Sequence, residues 1–159
     1  MPLQKQVTLY SAPGTPGAKA TPDQSVYAPI NPLAAVALPV GSFVFPVVSG
    51  GVTDNALATN AAGDATAVLG FVERVINYVN HDVFSEGTLI VPASSALTVA
   101  VKGDYWAVST TAAAVGQAVL ASTADGSIST GTADAAHLDT GWTVKTPGAA
   151  GECIIISNW

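Results

Sequence analysis

Short β-branched and aromatic runs, each cut off by Gly or Pro, leave this chain little room for anything but β-structure. Residues 36–40 and 43–48 are such runs, broken at Pro39, Gly41 and Pro46 and ended by Gly50-Gly51. Residues 88–91 read as a short strand stopped by Pro92. Leu97, Val99 and Val101 then alternate with Thr98, Ala100 and Lys102, the period of a half-buried strand. Gly103-Asp104 turns the chain into Tyr105-Trp106-Ala107-Val108. Residues 117–121 form a further run, and Asp125-Gly126 is a hairpin signal leading into residues 127–130. Trp142-Thr143-Val144 and Cys153-Ile154-Ile155-Ile156 are the last runs, joined through Thr146-Pro147-Gly148. Residues 52–65, with Asp54-Asn55 and Ala61-Ala62-Gly63-Asp64, read as a loop. In residues 68–79 the signals conflict. Val68, Phe71, Val72, Val75, Ile76 and Val79 fall at helical spacing, yet β-branching and Gly70 favour a strand by a narrow margin. The pattern predicts a mainly β fold, a compact β-sandwich or small β-barrel.

The first 33 residues differ from the rest. They hold six of the ten prolines: Pro2, Pro13, Pro16, Pro22, Pro29 and Pro32. Proline fixes φ, removes a donor and keeps its predecessor extended, so neither a helix nor a central strand is expected here. Composition alone also fits a disordered leader. Leu3, Val7, Leu9, Tyr10, Val26, Tyr27 and Ile30 argue instead for an extended arm lying on a neighbouring subunit. The predicted organisation is an extended proline-rich N-terminal arm, 1–33, and a β-rich core, 34–159.

Charge narrows the function. Only 10% of residues are charged, against roughly 25% in an ordinary soluble domain, while 49% are hydrophobic. So lightly charged a surface is weakly protected from association, which predicts that partners cover part of it. The net charge is −6, and Lys5, Lys19, Arg74, Lys102 and Lys145 are scattered singly. Phosphate neutralisation needs clustered cations, so no nucleic-acid partner is expected, and polybasic membrane docking fails on the same ground. No apolar run reaches the ~18–20 residues of a membrane span. Cys153 is the one cysteine and allows no internal disulfide; with no secretory h-region after Met1, synthesis in a host cytoplasm is expected.

Residues able to carry chemistry are few. His81 precedes Asp82, and His137 lies two before Asp139, but no nucleophile elbow accompanies either, so both read as loop or surface residues. One Cys and two distant His give no zinc spacing, and neither a calcium loop nor a phosphate loop occurs. Cys153 sits in an apolar run and reads as a buried, inert thiol. Glu73-Arg74 reads as a solvated charge pair or an intersubunit contact. No catalytic, metal or cofactor-binding residues are assigned, and a non-enzymatic protein without cofactors is expected.

An ordered set of segments carries a family resemblance. It begins with Met1-Pro2-Leu3-Gln4-Lys5-Gln6-Val7 and a Pro/Gly/Ala-rich leader, followed by Val68-Leu69-Gly70-Phe71-Val72-Glu73-Arg74. Glu86-Gly87-Thr88-Leu89-Ile90-Val91-Pro92, Leu97-Thr98-Val99 and Lys102-Gly103-Asp104-Tyr105-Trp106-Ala107-Val108 continue it. Val115-Gly116-Gln117-Ala118-Val119 and Ala124-Asp125-Gly126-Ser127 complete it. Together these resemble the structural cement (capsid decoration) proteins of tailed bacteriophages over about half the chain. Residues from Thr132 onward have no matching counterpart. The resemblance implies a protein of the capsid exterior that binds the major capsid protein of an expanded HK97-type shell. It also implies self-association, with a trimer favoured over a dimer, and tips residues 68–79 further toward strand. Another virion component, a tail or host-attachment module, is the alternative, although no fibre-like repeat is visible. Candidate interface residues are Leu3, Tyr10, Tyr27 and Ile30 in the arm, with Arg74, Trp106 and Trp142 in the core. For the two tryptophans, ordinary core packing is the competing and favoured reading.

Overall fold

The computed structural model describes residues 14–75 and 90–159. All regular structure among them is β, as the punctuation of the sequence predicts. The first sheet runs in the order β1 (Val26–Tyr27), β8 (Val99–Lys102), β6 (Gly70–Val72), β4 (Phe43–Ser49), β5 (Val52–Thr59) and β2 (Leu33–Ala34). Its pairings are antiparallel except β2 with β5. The second sheet has the order β11 (Ile128–Thr130), β10 (Ala118–Ser122), β12 (His137–Val144), β13 (Cys153–Ser157) and β9 (Asp104–Val108), antiparallel throughout. A two-stranded ladder of β3 (Leu38–Pro39) and β7 (Ile90–Val91) completes the set.

The first sheet is a middle layer, which explains its uninterrupted apolar runs. Successive strand residues face opposite ways. Phe43 and Phe45 on β4, Phe71 on β6 and Ala100 on β8 join Tyr105, Ala107, Val119, Ala121, Trp142, Val144, Ile154 and Ile156 of the second sheet. Their neighbours Val44, Val72 and Val99 point the other way, onto Ala34, Leu38, Val40, Ala58, Val91 and Leu97. A strand buried on both faces shows no polar alternation. At the centre of the larger core Phe71 sits 5.5 Å from Phe43, 5.2 Å from Tyr105 and 5.9 Å from Trp142, centroid to centroid. Such aromatic pairs contribute about 0.5–1.5 kcal/mol each beyond their buried area.

The second sheet curls on itself. Just past β9, Ser109 forms a parallel bridge with Ile128 of β11, and the Thr110 N–H donates to the Ile128 carbonyl. Both ends of the sheet thereby approach one another, an arrangement between a sandwich layer and a small barrel.

One reading needs correction. Residues 52–59, expected as loop, form β5. Gly50 and Gly51, with φ of 59° and 78°, make a two-residue turn, and Ser49 pairs with Val52 across it. Both central residues at positive φ is what a type I′ hairpin requires. The strand was hard to read because its first five residues are exposed, so no apolar alternation marks it. Within residues 68–79, the strand reading holds at Gly70–Val72. Residues 76–79 lie outside the described residues.

The described part of the leader lies on its own chain. The Gly17 N–H donates to the Trp106 carbonyl at 2.8 Å, Trp106 N–H to Ala18 at 2.9 Å, and Ala20 N–H to Asp104 at 2.8 Å. The leader thus borders β9 and satisfies the outer edge of the second sheet, before β1 borders β8 in the first. An otherwise bare strand edge is an aggregation hazard, and this arrangement covers it.

Candidate docking surface

Where the leader crosses the core it is held by polar side chains. Lys19 Nζ lies 4.0 Å from Glu73 Oε1 and 5.5 Å from the centre of the Tyr27 ring. Hydrogen bonding to Tyr27 raises the Lys19 ammonium above its usual range, burial opposes that shift, and Glu73 adds to it. The Tyr105 hydroxyl donates to Glu73 Oε2 at 3.0 Å, and Thr21 Oγ1 donates to Asp104 Oδ2 at 3.0 Å. Burial is the main reason that the Tyr105 hydroxyl is pushed far above its ordinary value. Glu73 is therefore no solvated half of a pair with Arg74. It is buried, and its partners are Tyr105 and Lys19. The sequence placed Glu73 next to Arg74 but could not show that the strand end turns it inward.

The predicted interface residues scatter. Leu3 and Tyr10 lie outside the described residues, as does His81. Tyr27 and Ile30 are exposed, at 37% and 54%. Arg74 is exposed, and its N–H is held by the Gly17 carbonyl. Trp106 is half-buried beneath the leader, where a side chain on Gly14 would overlap its ring. Trp142 is 2% exposed and packs on Phe43 and Phe71, so it takes the packing role and offers no surface to a partner.

Other exposed apolar residues went unpredicted: Leu33, Val36, Val52, Ile90, Val108, Val115 and Trp159. Val52 stands at the turn end of the β4–β5 ribbon, residues 47–54, whose β5 side is exposed. A register shift between Pro46 and Val47 separates this ribbon from the rest of the sheet. The Gly50-Gly51 pair was the available signal, since Gly-Gly between two β-prone segments marks a hairpin. An open groove of about 600 Å³ runs along the ribbon as far as Gly51 at its turn. Pro46, Val48, Thr53 and Asn55 line one side and residues 64–69 the other.

Chemistry-bearing groups do not converge. His137 Nδ1 is 2.9 Å from Asp134 Oδ1 on the surface, and hydrogen bonding to that ring holds Asp134 below the usual carboxylate range. Asp125 is lowered chiefly by the Ser127 hydroxyl, which donates to Oδ1 at 2.7 Å and caps the hairpin turn. Cys153 is only part-buried; its Sγ lies 3.1 Å from the Gly14 carbonyl, and burial raises its thiol above the ordinary value. Among the described residues, no three His, Cys, Asp or Glu side chains gather as a metal site would need.

A curled β-sheet packed on a doubly buried one, with apolar residues and a ribbon left exposed, has a solved counterpart. The structure of the capsid of Myoviridae Phage XM1 contains a chain that matches with a TM-score of 0.60 at 16% identity, covering 99% of this chain and 98% of that one. The fold is thus one found in a phage capsid. The family model for the XM1 gp53 minor capsid protein matches residues 3–158, and the chain belongs to that family. It is a structural component of a phage virion, associated with the capsid shell. The head fiber gp8.5 N base of bacteriophage phi29 matches at a TM-score of 0.43 and 8% identity, over 79% of this chain and 88% of that one, too distant to carry an argument. No curated protein matches the chain.

Proposed function

We propose that this protein is a capsid cement protein. It binds the outer surface of the expanded shell, stabilises contacts between capsomers of an HK97-type major capsid protein, and makes or breaks no covalent bond. The observation that carries this reading is a charge-poor chain of a minor capsid family that exposes apolar side chains, Val52 at the β4–β5 turn among them. Expansion creates new surface where capsomers meet. A protein that binds only the expanded form stabilises it by RT ln(1 + [L]/Kd) for each site. Exposed apolar side chains such as Val52 and Ile30 supply area without the desolvation cost of charges. Trimers at local threefold positions would multiply each contact; synthesis in the host cytoplasm precedes docking.

The test is co-sedimentation of purified protein with expanded and unexpanded shells. Binding to expanded shells alone supports the proposal. Equal binding to both forms, or to neither, refutes it.

A further inference from the structure

We propose that the groove alongside the 47–54 ribbon receives residues 1–13 of a second copy of this chain. The groove is open and mixed in character. Pro46, Val48, Val68 and Leu69 give it apolar walls, and Asp64 is its one charged lining residue. Its occupant should therefore be an extended segment with spaced apolar side chains, a positive charge and no carboxylate to oppose Asp64.

The chain carries such a segment. Residues 1–13 contain Leu3, Val7, Leu9 and Tyr10, one cation at Lys5, and no acidic residue, although the whole chain is at −6. Between Pro2 and Pro13 no proline interrupts the donors that an extended segment offers to a strand edge. Reach is sufficient. Thirteen extended residues span roughly 45 Å, while a folded chain of this length has a radius of gyration of about 15 Å. The segment is followed by Gly14, which is fixed over Trp106 and Cys153 on the second sheet. It can thus leave its own body and reach another. Asp64 is exposed at the groove and available to Lys5. Self-association by this route does not need the shell, so its test is separate from that of capsid binding.

The experiment is sedimentation velocity of the full chain alone, over a concentration series. The wild type is expected to self-associate. Val7→Asp in the segment and Val48→Asp in the groove should each weaken association by about tenfold or more, the effect of losing one buried valine. Lys5→Glu and Asp64→Lys should each weaken it by roughly threefold, the scale of an exposed ion pair, and combining them should restore it. Thermal melting checks that Val48→Asp folds. Should it not, the Lys5/Asp64 exchange, which leaves the groove's apolar walls untouched, decides alone. Rescue in the double variant supports the proposal. A wild type that stays monomeric, variants that associate like the wild type, or a double variant no better than its parents overturns it. So does loss of shell binding by Val48→Asp with self-association intact, since the groove would then belong to the capsid protein.

Discussion

Adding one methyl group at Gly126 should cost several times more than adding it at Gly116, though both glycines have left-handed backbones, with φ of 70° and 85°. A non-glycine residue there carries about 1–2 kcal/mol of strain. Restricting the unfolded chain returns about 0.4–1 kcal/mol of that. At Gly116 a Cβ meets nothing within 4 Å, so Gly116→Ala should cost about 1 kcal/mol. At Gly126 the same atom would overlap the Phe43 carbonyl oxygen, which is backbone and cannot swing aside. The hairpin tip must retreat, and the Phe43 N–H then loses the Gly126 carbonyl that it binds at 3.0 Å. Phe43 is fully buried, so its orphaned donor adds about 1–3 kcal/mol. Gly126→Ala should thus total about 3 kcal/mol. For a chain of this length that is a fall in Tm of roughly 6–12 °C, against roughly 2–4 °C for Gly116→Ala. Melting both variants by circular dichroism checks the difference. Equal shifts would mean that the 122–128 hairpin does not dock on β4, and the packing of the two sheets described above would be wrong at that point.

Other outcomes follow from the same contacts. Phe71→Ala removes the ring that touches Phe43, Tyr105 and Trp142 and should destabilise by about 3–5 kcal/mol in urea unfolding. Removing residues 1–32 strips β1 and the leader bonds to β9, so the truncated chain should melt well below the full one and expose Trp106 to fluorescence quenchers. Asp125→Asn should lower stability at neutral pH only slightly, because the site is exposed. The folded-state value of Asp125 lies below the ordinary 3.8, so its contribution is present above that pH and disappears as pH falls through the folded value. Wild type and variant should therefore converge in acid melts. Cys153 should react with a disulfide reagent at pH 8 more slowly than the same thiol in the urea-unfolded chain, because burial disfavours its thiolate.

The fold was legible wherever β-branched runs meet explicit turn chemistry. Gly103-Asp104 and Asp125-Gly126 led to turns and strands where expected, and residues 97–102 do supply a strand, β8, but not a half-buried one: Val99 and Ala100 are both buried, in different cores. Reading failed where pairing rests on the backbone alone. The exposed half of β5 has no apolar period, and its polar Asp54-Asn55 imitates a loop. In the strand at 70–72, Phe71 and Val72 are both buried because two different cores cover its two faces, so no alternation marks it. The surface was less legible than the core. Trp142 was a candidate because tryptophan suits both interfaces and cores, and only the packing of Phe43 and Phe71 around it decides. Glu73 shows the same limit, since its partner Tyr105 lies 32 residues downstream and its partner Lys19 lies far upstream, in the leader. No local pattern encodes such distant neighbours.

Shell melting tests the cementing role most directly. Expanded, DNA-filled capsids lacking this protein would be heated with increasing amounts of it, and the temperature of DNA release recorded. Specific binding to the intact shell predicts a release temperature that rises with the logarithm of free protein above Kd. Protein that coats the capsid and leaves that temperature unchanged would contradict the account.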